Sequence, residues 1–229
     1  MVVRQYFKDL VHLLFPSICV GCETPLLSHE ELLCTECLYH LPFTDFHLDP
    51  ESATARQLWG KLDFQFAVSM LYLSKFSRVE KIIHNLKYGN QPAVGYYLGK
   101  MYARKLVGVS DMEQIDLILP VPLHRSKLRT RGYNQSSYFA KGLAEGLEKE
   151  WTDTLLRRLK ATVSQTKKSR SDRYDNVENI FHIKDSGAIK DKHILIVDDV
   201  LTTGATISSL GNVLIDAGAK VSVATIARA

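Results

Sequence analysis

The chain has 229 residues, 45% of them hydrophobic and 24% charged. That average globular composition excludes collagen-like, low-complexity and wholly disordered classes and fits one ordinary domain with a small appendage. The formal net charge of +4 and the four cysteines mean little until their residues are located. No apolar run reaches the ~18 residues of a membrane-spanning helix, so no membrane span is expected.

At the N-terminus, Val3, Phe7, Leu10, Val11 and Leu14 recur at helical spacing, which predicts a helix whose apolar face packs on the body or on a partner. Lys8, Asp9 and His12 interrupt the segment and it lacks a small-residue cleavage site, so it does not read as a secretory signal. Two knuckles follow, Cys19-Val-Gly-Cys22 and Cys34-Thr-Glu-Cys37, with eleven residues between them. Each turns tightly enough for two thiolates to face one centre, and four thiolates complete the closed tetrahedral shell of structural zinc. A catalytic zinc would keep an open position for water. Cystines would need an oxidising compartment, and without an export signal the cytoplasm is the expected location. His12, His29, His40 and His47 are surplus to a full shell. The stretch from Thr44 to Gly60 has no clear period and reads as a linker, dividing a knuckle region, 1–60, from a main domain, 61–229.

Beyond residue 60 apolar runs alternate with helical patterns. Strands are expected over Ala67–Leu73, Leu117–Val121, His193–Val197 and Val221–Ile226. Helices are expected around Val79, Ile82, Ile83 and Leu86, then over Val94–Leu106, Ser136–Leu147 and Ala205–Ala217. Continuous apolar strands flanked by helices predict an α/β fold with a mostly parallel sheet covered on both faces. Ligands of such sheets bind beyond the carboxyl ends of the strands.

One strand end stands apart: Ile194-Leu-Ile-Val-Asp198-Asp199-Val-Leu-Thr202-Thr203-Gly204-Ala205-Thr206. Four apolar residues run into two carboxylates, then into hydroxyl residues and a glycine that open a helix. Backbone N–H groups at a helix N-terminus, with threonine hydroxyls beside them, cradle a phosphate, and Gly204 lets the backbone approach it. Adjacent acids would repel that anion unless they face vicinal hydroxyls or hydrated Mg²⁺. A sugar phosphate satisfies both demands.

These thirteen residues resemble the phosphoribosyl pyrophosphate (PRPP) motif of type I phosphoribosyltransferases. The chain as a whole resembles the ComF family, in which a four-cysteine zinc knuckle precedes such a domain. The resemblance also rests on Leu86-Lys87-Tyr88-Gly89-Asn90, Pro120-Val-Pro-Leu123-His124-Arg125, Arg131-Gly132-Tyr133-Asn134-Gln135 and Gln165-Thr-Lys167-Lys168-Ser-Arg170. It implies a type I phosphoribosyltransferase fold, with Asp198 and Asp199 holding the ribose hydroxyls and Thr202, Thr203, Gly204, Ala205 and Thr206 holding the 5′-phosphate, with Mg²⁺. It also implies a pyrophosphate loop after the strand Leu117–Val121, with Leu123 and His124 as phosphate contacts and Arg125 and Lys127 as catalytic cations. Arg125, Lys127, Arg129 and Arg131 give that loop four positive charges and no acid. Cations at the leaving oxygens stabilise the charge that develops as pyrophosphate departs. In the 6-oxopurine branch an acid follows the two carboxylates as a base toward the purine. Thr202 stands there, so the resemblance is to the orotate, adenine or amide-nitrogen branches. Tyr88, Tyr133 and the segment Phe64–Leu73 are candidates to line an acceptor site that the sequence does not otherwise define.

A second basic run, Arg157–Arg173, carries seven Lys/Arg and one Asp. Three readings stay open for it: a flexible loop closing over the active site, a solvated basic loop without a special role, or a contact to nucleic-acid phosphates through Lys167, Lys168, Arg170 and Arg173, with Arg129 and Arg131. ComF-family proteins are associated with DNA entering during natural transformation, which raises the last. Two functions follow as expectations. One is a PRPP-dependent phosphoribosyltransferase in DNA uptake or nucleotide salvage. The other is a non-catalytic module that senses PRPP or a nucleotide and handles single-stranded DNA beside a competence helicase.

Overall fold

The apolar runs read as strands do pair into one sheet in a computed structural model of the chain, which describes residues 16–159 and 180–229. The expected N-terminal helix and Lys167, Lys168, Arg170 and Arg173 lie outside the described residues. The strands are β1 (Ala67–Tyr72), β2 (Leu117–Pro120), β3 (Glu150–Trp151), β6 (His193–Leu201) and β7 (Lys220–Arg228), in the order β1-β7-β6-β2-β3. Every pairing is parallel. A separate antiparallel pair, β4 (Leu156–Arg158) with β5 (Phe181–Ile183), stands beside it.

Side chains on β6 alternate between two cores, as the period of two in a strand requires. Leu195 and Val197 join a core with Val79, Ile82 and Leu86 of helix α3 (Arg78–Tyr88), Leu98 and Tyr102 of α4 (Pro92–Leu106) and Phe139 and Leu143 of α7 (Gln135–Leu147). Ile194 and Ile196 face the opposite core, with Leu58 of α2 (Ala53–Leu58) and Ile207 and Leu210 of α8 (Ala205–Asp216). The first core continues into the knuckle region through Cys19, Val20, Leu33, Cys37 and Leu41. There the short helix α1 (Thr35–Tyr39) begins at Cys34; another short helix, α5 (Ser110–Glu113), precedes β2.

Three expectations change. The stretch Thr44–Gly60 is no simple linker: Phe46–Leu48 forms a 3-10 turn and α2 buries Thr54, Ala55 and Leu58. Ser52 caps α2 by accepting from Ala55 N at 3.3 Å. Six residues are too few to show a periodicity, and burial against the sheet supplies the stability that propensity lacks. The strand expected to stop at Val197 runs to Leu201, so Asp198 and Val200 still pair with Thr225 and Ala227 of β7. The basic stretch after β2 is largely a helix, α6 (Arg125–Arg131), capped by His124 and ended by Gly132 at φ +80°.

The axes of α4 and α7 come together at two glycines. A Cβ on Gly142 would lie 2.1 Å from the Tyr96 carbonyl oxygen, and one on Gly99 would lie 2.4 Å from that of Phe139. Backbone therefore touches backbone. The contact seats α7 so that its N-terminal residues reach the carboxyl end of β6.

Candidate functional site

The two acids of β6 are held by the first turn of α7. Gln135 Nε2 donates to Asp199 Oδ2 at 2.6 Å and Ser136 Oγ donates to Asp198 Oδ1 at 2.9 Å, an oxygen that also accepts from the Asp199 backbone N–H. Lys87 Nζ lies 3.2 Å from the same Asp199 Oδ2. Burial, with the Asp199 carboxylate beside it, pushes the Asp198 carboxyl up to about 7. The pair is thus crowded in charge. Gln135 is buried, and its Oε1 has no hydrogen-bond partner among the described residues. An orphaned acceptor beside two carboxylates suits a ligand that brings hydroxyl donors.

These groups open into a cavity of about 490 Å³ at the carboxyl ends of β6 and β2. Thr202 and Thr206 line it on the β6 side, and Lys127 and Arg131 line it from α6. The helical form of α6 decides which basic residues arrive. At about 100° per residue, Arg125 and Arg129 share one side of the helix and Lys127 and Arg131 the other. Lys127 and Arg131 accordingly face the acids' cavity. Arg125 lines an adjoining cavity of about 700 Å³, with Arg157, Lys184, Tyr133 and Tyr138. His124 and Leu123 stand at the junction, Leu123 lining both cavities. Arg129 is exposed and lines neither.

The hydroxyl-rich turn is tied down from below. Gly204 adopts φ +80°, a left-handed conformation that L side chains rarely take, and a Cβ there would lie 2.8 Å from Leu58 Cδ2. Lys61 Nζ donates to the Thr203 carbonyl at 3.1 Å and the Gln57 carbonyl at 2.9 Å, anchoring the turn to α2. Ala205 N donates to Thr203 Oγ1 at 3.4 Å. Thr202, Thr203 and Ala205 are exposed, leaving this helix entrance open to an anion.

Lys87, Gln135 and Ser136 were not singled out for these roles from sequence. The signal was nonetheless present, since Lys87 and Gln135 sit in the two short motifs that carry the resemblance. The structure resolves those motifs residue by residue. Tyr133 donates its hydroxyl to the Leu86 carbonyl, Asn134 Nδ2 donates to the Val121 carbonyl at 3.0 Å while Asn134 caps α7, and the Arg131 guanidinium stacks 5.2 Å above the Tyr88 ring. Of the acceptor candidates, Tyr88 is exposed and lines the acids' cavity with Leu73, while Tyr133 is buried and lines the neighbouring one. Phe66, Val68, Met70 and Leu71 belong to the core.

At the other end, Cys19, Cys22, Cys34 and Cys37 converge, with all four sulfurs within 4.8 Å of one another and none in a disulfide. Backbone N–H groups of Gly21 and Cys34 point to Cys19 Sγ at 3.4 and 3.3 Å, and that of Cys37 to Cys34 Sγ at 3.4 Å. Burial pushes the Cys37 thiol far above its ordinary range, whereas the Thr24 hydroxyl brings Cys22 down to about 6. Tetrahedral zinc at ~2.3 Å from each sulfur fits such a cluster. No helix among the described residues is long and apolar enough to cross a membrane.

Residues 134–229 match the phosphoribosyl transferase domain. Over 89% of its length the chain is 28% identical to DNA utilization protein YhgH of Shigella flexneri, covering 93% of that protein. It is 26% identical to competence protein F of Haemophilus influenzae, over 89% of this chain and 86% of that one. A 100-residue stretch, 44% of this chain and 42% of the relative, is 40% identical to competence protein ComFC of Streptococcus pneumoniae. A sulfur cluster that fits a zinc knuckle, joined to a stretch that matches the phosphoribosyl transferase domain, in a chain similar to competence protein F over most of its length, bears out the resemblance to the ComF family read from the sequence.

Proposed function

We propose that the chain binds PRPP with Mg²⁺ at the carboxyl end of β6 and transfers the phosphoribosyl group to a base or amine released from nucleic acid. The observation that carries this reading is the arrangement of one cavity, with two acids and an orphaned Gln135 acceptor on one wall and Lys127 and Arg131 on another. Asp198, Asp199 and Gln135 take the ribose hydroxyls. Thr202, Thr203, Gly204, Ala205 and Thr206 take the 5′-phosphate at the α8 N-terminus. Lys127 and Arg131 receive the departing pyrophosphate, each positioned cation contributing a factor of about 100. Arg125 and His124 act from the neighbouring cavity, where the acceptor or a nucleotide enters. Mg²⁺ suits a hard carboxylate donor set and supplies neutralisation of charge on the leaving oxygens. The carboxylates orient the sugar so that a bond forms from C1 to the acceptor nitrogen as the C1–O bond breaks, its electron pair leaving with pyrophosphate and the nitrogen's proton passing to water. Zinc at the four cysteines is structural, and reduced thiols suit the cytoplasm.

Calorimetry with PRPP and Mg²⁺, followed by pyrophosphate release across a panel of bases and amines, tests this. Binding with release identifies the acceptor. Absence of PRPP binding in intact, zinc-loaded protein overturns the reading.

A second reading is favoured by the basic cavity of Arg125, Arg157 and Lys184 with two tyrosines. There the PRPP site is a sensor, and the protein holds single-stranded DNA, with Lys167, Lys168, Arg170 and Arg173 as further contacts, for a competence helicase. The names of the relatives, DNA utilization and competence proteins, support that setting. DNA affinity should then fall steeply with salt, and PRPP should bind without any acceptor releasing pyrophosphate.

A further inference from the structure

Arg158 lines the acids' cavity, and among the described residues an ion pair to the acidic side chains comes from α3. Lys87 leaves its last turn, and its ammonium lies 3.2 Å from Asp199 Oδ2, the oxygen that also takes the Gln135 bond. The backbone on its N-terminal side is pinned, because the Leu86 carbonyl accepts the Tyr133 hydroxyl and Asn85 Nδ2 donates to the Val20 carbonyl at 2.8 Å. The side chain retains 22% exposure at the cavity wall. Four flexible methylenes therefore let the charge move while α3 stays in place. In its present position the ammonium occupies the space where a divalent cation on this carboxylate oxygen would sit, and two cations at that range repel. Lys127 and Arg131 face the same cavity from α6, so a polyphosphate entering it lies between two cationic walls.

We propose that Lys87 is an internal counter-cation that closes the Asp198–Asp199 pair to free divalent metal, and that metal enters as its polyphosphate complex, whose oxygens draw the ammonium off Asp199. This deepens the PRPP reading and rests on it for the identity of the polyphosphate. Lys87 is thus a specificity determinant: it makes the site select a metal–polyphosphate unit over the free metal.

Mn²⁺ titration of the full chain, followed by the electron paramagnetic resonance of free Mn²⁺, tests this without turnover. Lys87→Met should bind Mn²⁺ alone about tenfold more tightly than the wild type, whereas Lys87→Arg should stay within about twofold of it. With inorganic pyrophosphate added the order should reverse, Lys87→Met binding the Mn²⁺–pyrophosphate complex about tenfold more weakly. An unchanged or weaker affinity for Mn²⁺ alone in folded Lys87→Met overturns the proposal, as does Lys87→Arg behaving like Lys87→Met. Loss of any ion-paired cation here would free Asp199 for Mn²⁺; a pair that merely stabilised the fold would not weaken binding of the Mn²⁺–pyrophosphate complex when removed, so absence of that reversal also overturns the proposal. Lys87→Gln carries the same expectation should the Met variant fail to fold. The first arm contains no PRPP, so it can fail while calorimetry shows PRPP binding, and it remains readable if PRPP does not bind.

Discussion

Gln135 joins the two halves of the site's chemistry in one side chain. Its amide nitrogen holds Asp199 in place, and its oxygen awaits a donor among the described residues. Gln135→Met keeps the volume and removes both the bond to Asp199 and the orphaned acceptor. Hydrogen bonds to charged groups contribute ~1.5–3 kcal/mol, so affinity for PRPP with Mg²⁺ should drop about 10- to 100-fold in calorimetry. Equal affinity in the variant would remove Gln135 from the ligand site. Far from the cavity, His193 bonds Ser222 Oγ through Nε2 at 2.7 Å inside the sheet. Burial depresses its pKa, opposed by Asp116, the Gln114 carbonyl and Asp111 and reinforced by Lys220. The unfolded chain then binds the proton more readily than the folded one, so stability is fully present above the unfolded value of ~6.5 and declines as pH falls through the folded value. Asp198, raised to about 7, acts in the opposite sense over the same range, so the His193 contribution is read as a difference: the urea midpoint of the wild type relative to His193→Gln should fall as pH is lowered from 8 to 5.

The helix pair α4 and α7 converts a packing detail into site geometry. Since Cβ atoms at Gly99 and Gly142 would meet backbone, the pair must separate if either glycine gains a methyl group. Overpacking of this kind costs ~1–3 kcal/mol. Gly142→Ala should therefore lower the unfolding free energy by about that amount and weaken PRPP binding as well, because α7 carries Gln135 and Ser136 to the acids. Loss of stability with unchanged PRPP affinity would uncouple the two roles. The sheet and its long helices were legible in the sequence because both faces are buried, which writes the strands as unbroken apolar runs and the helices as wide apolar stripes. The short helices α2 and α6 were not. One is six residues held by Ser52 and the sheet, and the other has no buried residue. The acids and the Thr-Gly turn were legible because they are contiguous, from Asp198 to Thr206. Lys87, Gln135 and Ser136 come from distant positions, and only the order of strands and helices brings them to the same two carboxylates.

Charge and metal act at the scale of the whole molecule. Residues 120–131 and 157–173 carry +4 and +6 of formal charge, leaving −6 on the remainder. The described parts of those two segments border the paired cavities, which gives a mildly acidic body an anion-attracting face. The four-cysteine cluster belongs to the same machinery through α3. Asn85 of that helix donates to the Val20 carbonyl inside the first knuckle, and Arg78 at its other end donates to the Glu36 carbonyl at 3.2 Å. Val79, Ile82 and Leu86 share one core with Cys19 and Cys37. Zinc bound here would supply folding free energy to the knuckle, and the knuckle packs against the helix that brings Lys87 and Tyr88 to the cavity. Cys34→Ser, or chelation of the wild type, should thus lower zinc content and melting temperature together. Affinity for PRPP with Mg²⁺ should fall about tenfold or more, while far-UV circular dichroism keeps the signature of the sheet. A zinc-free chain that melts early yet binds PRPP as before would show that α3 holds its place without the metal, confining the knuckle's role to stability or to a partner.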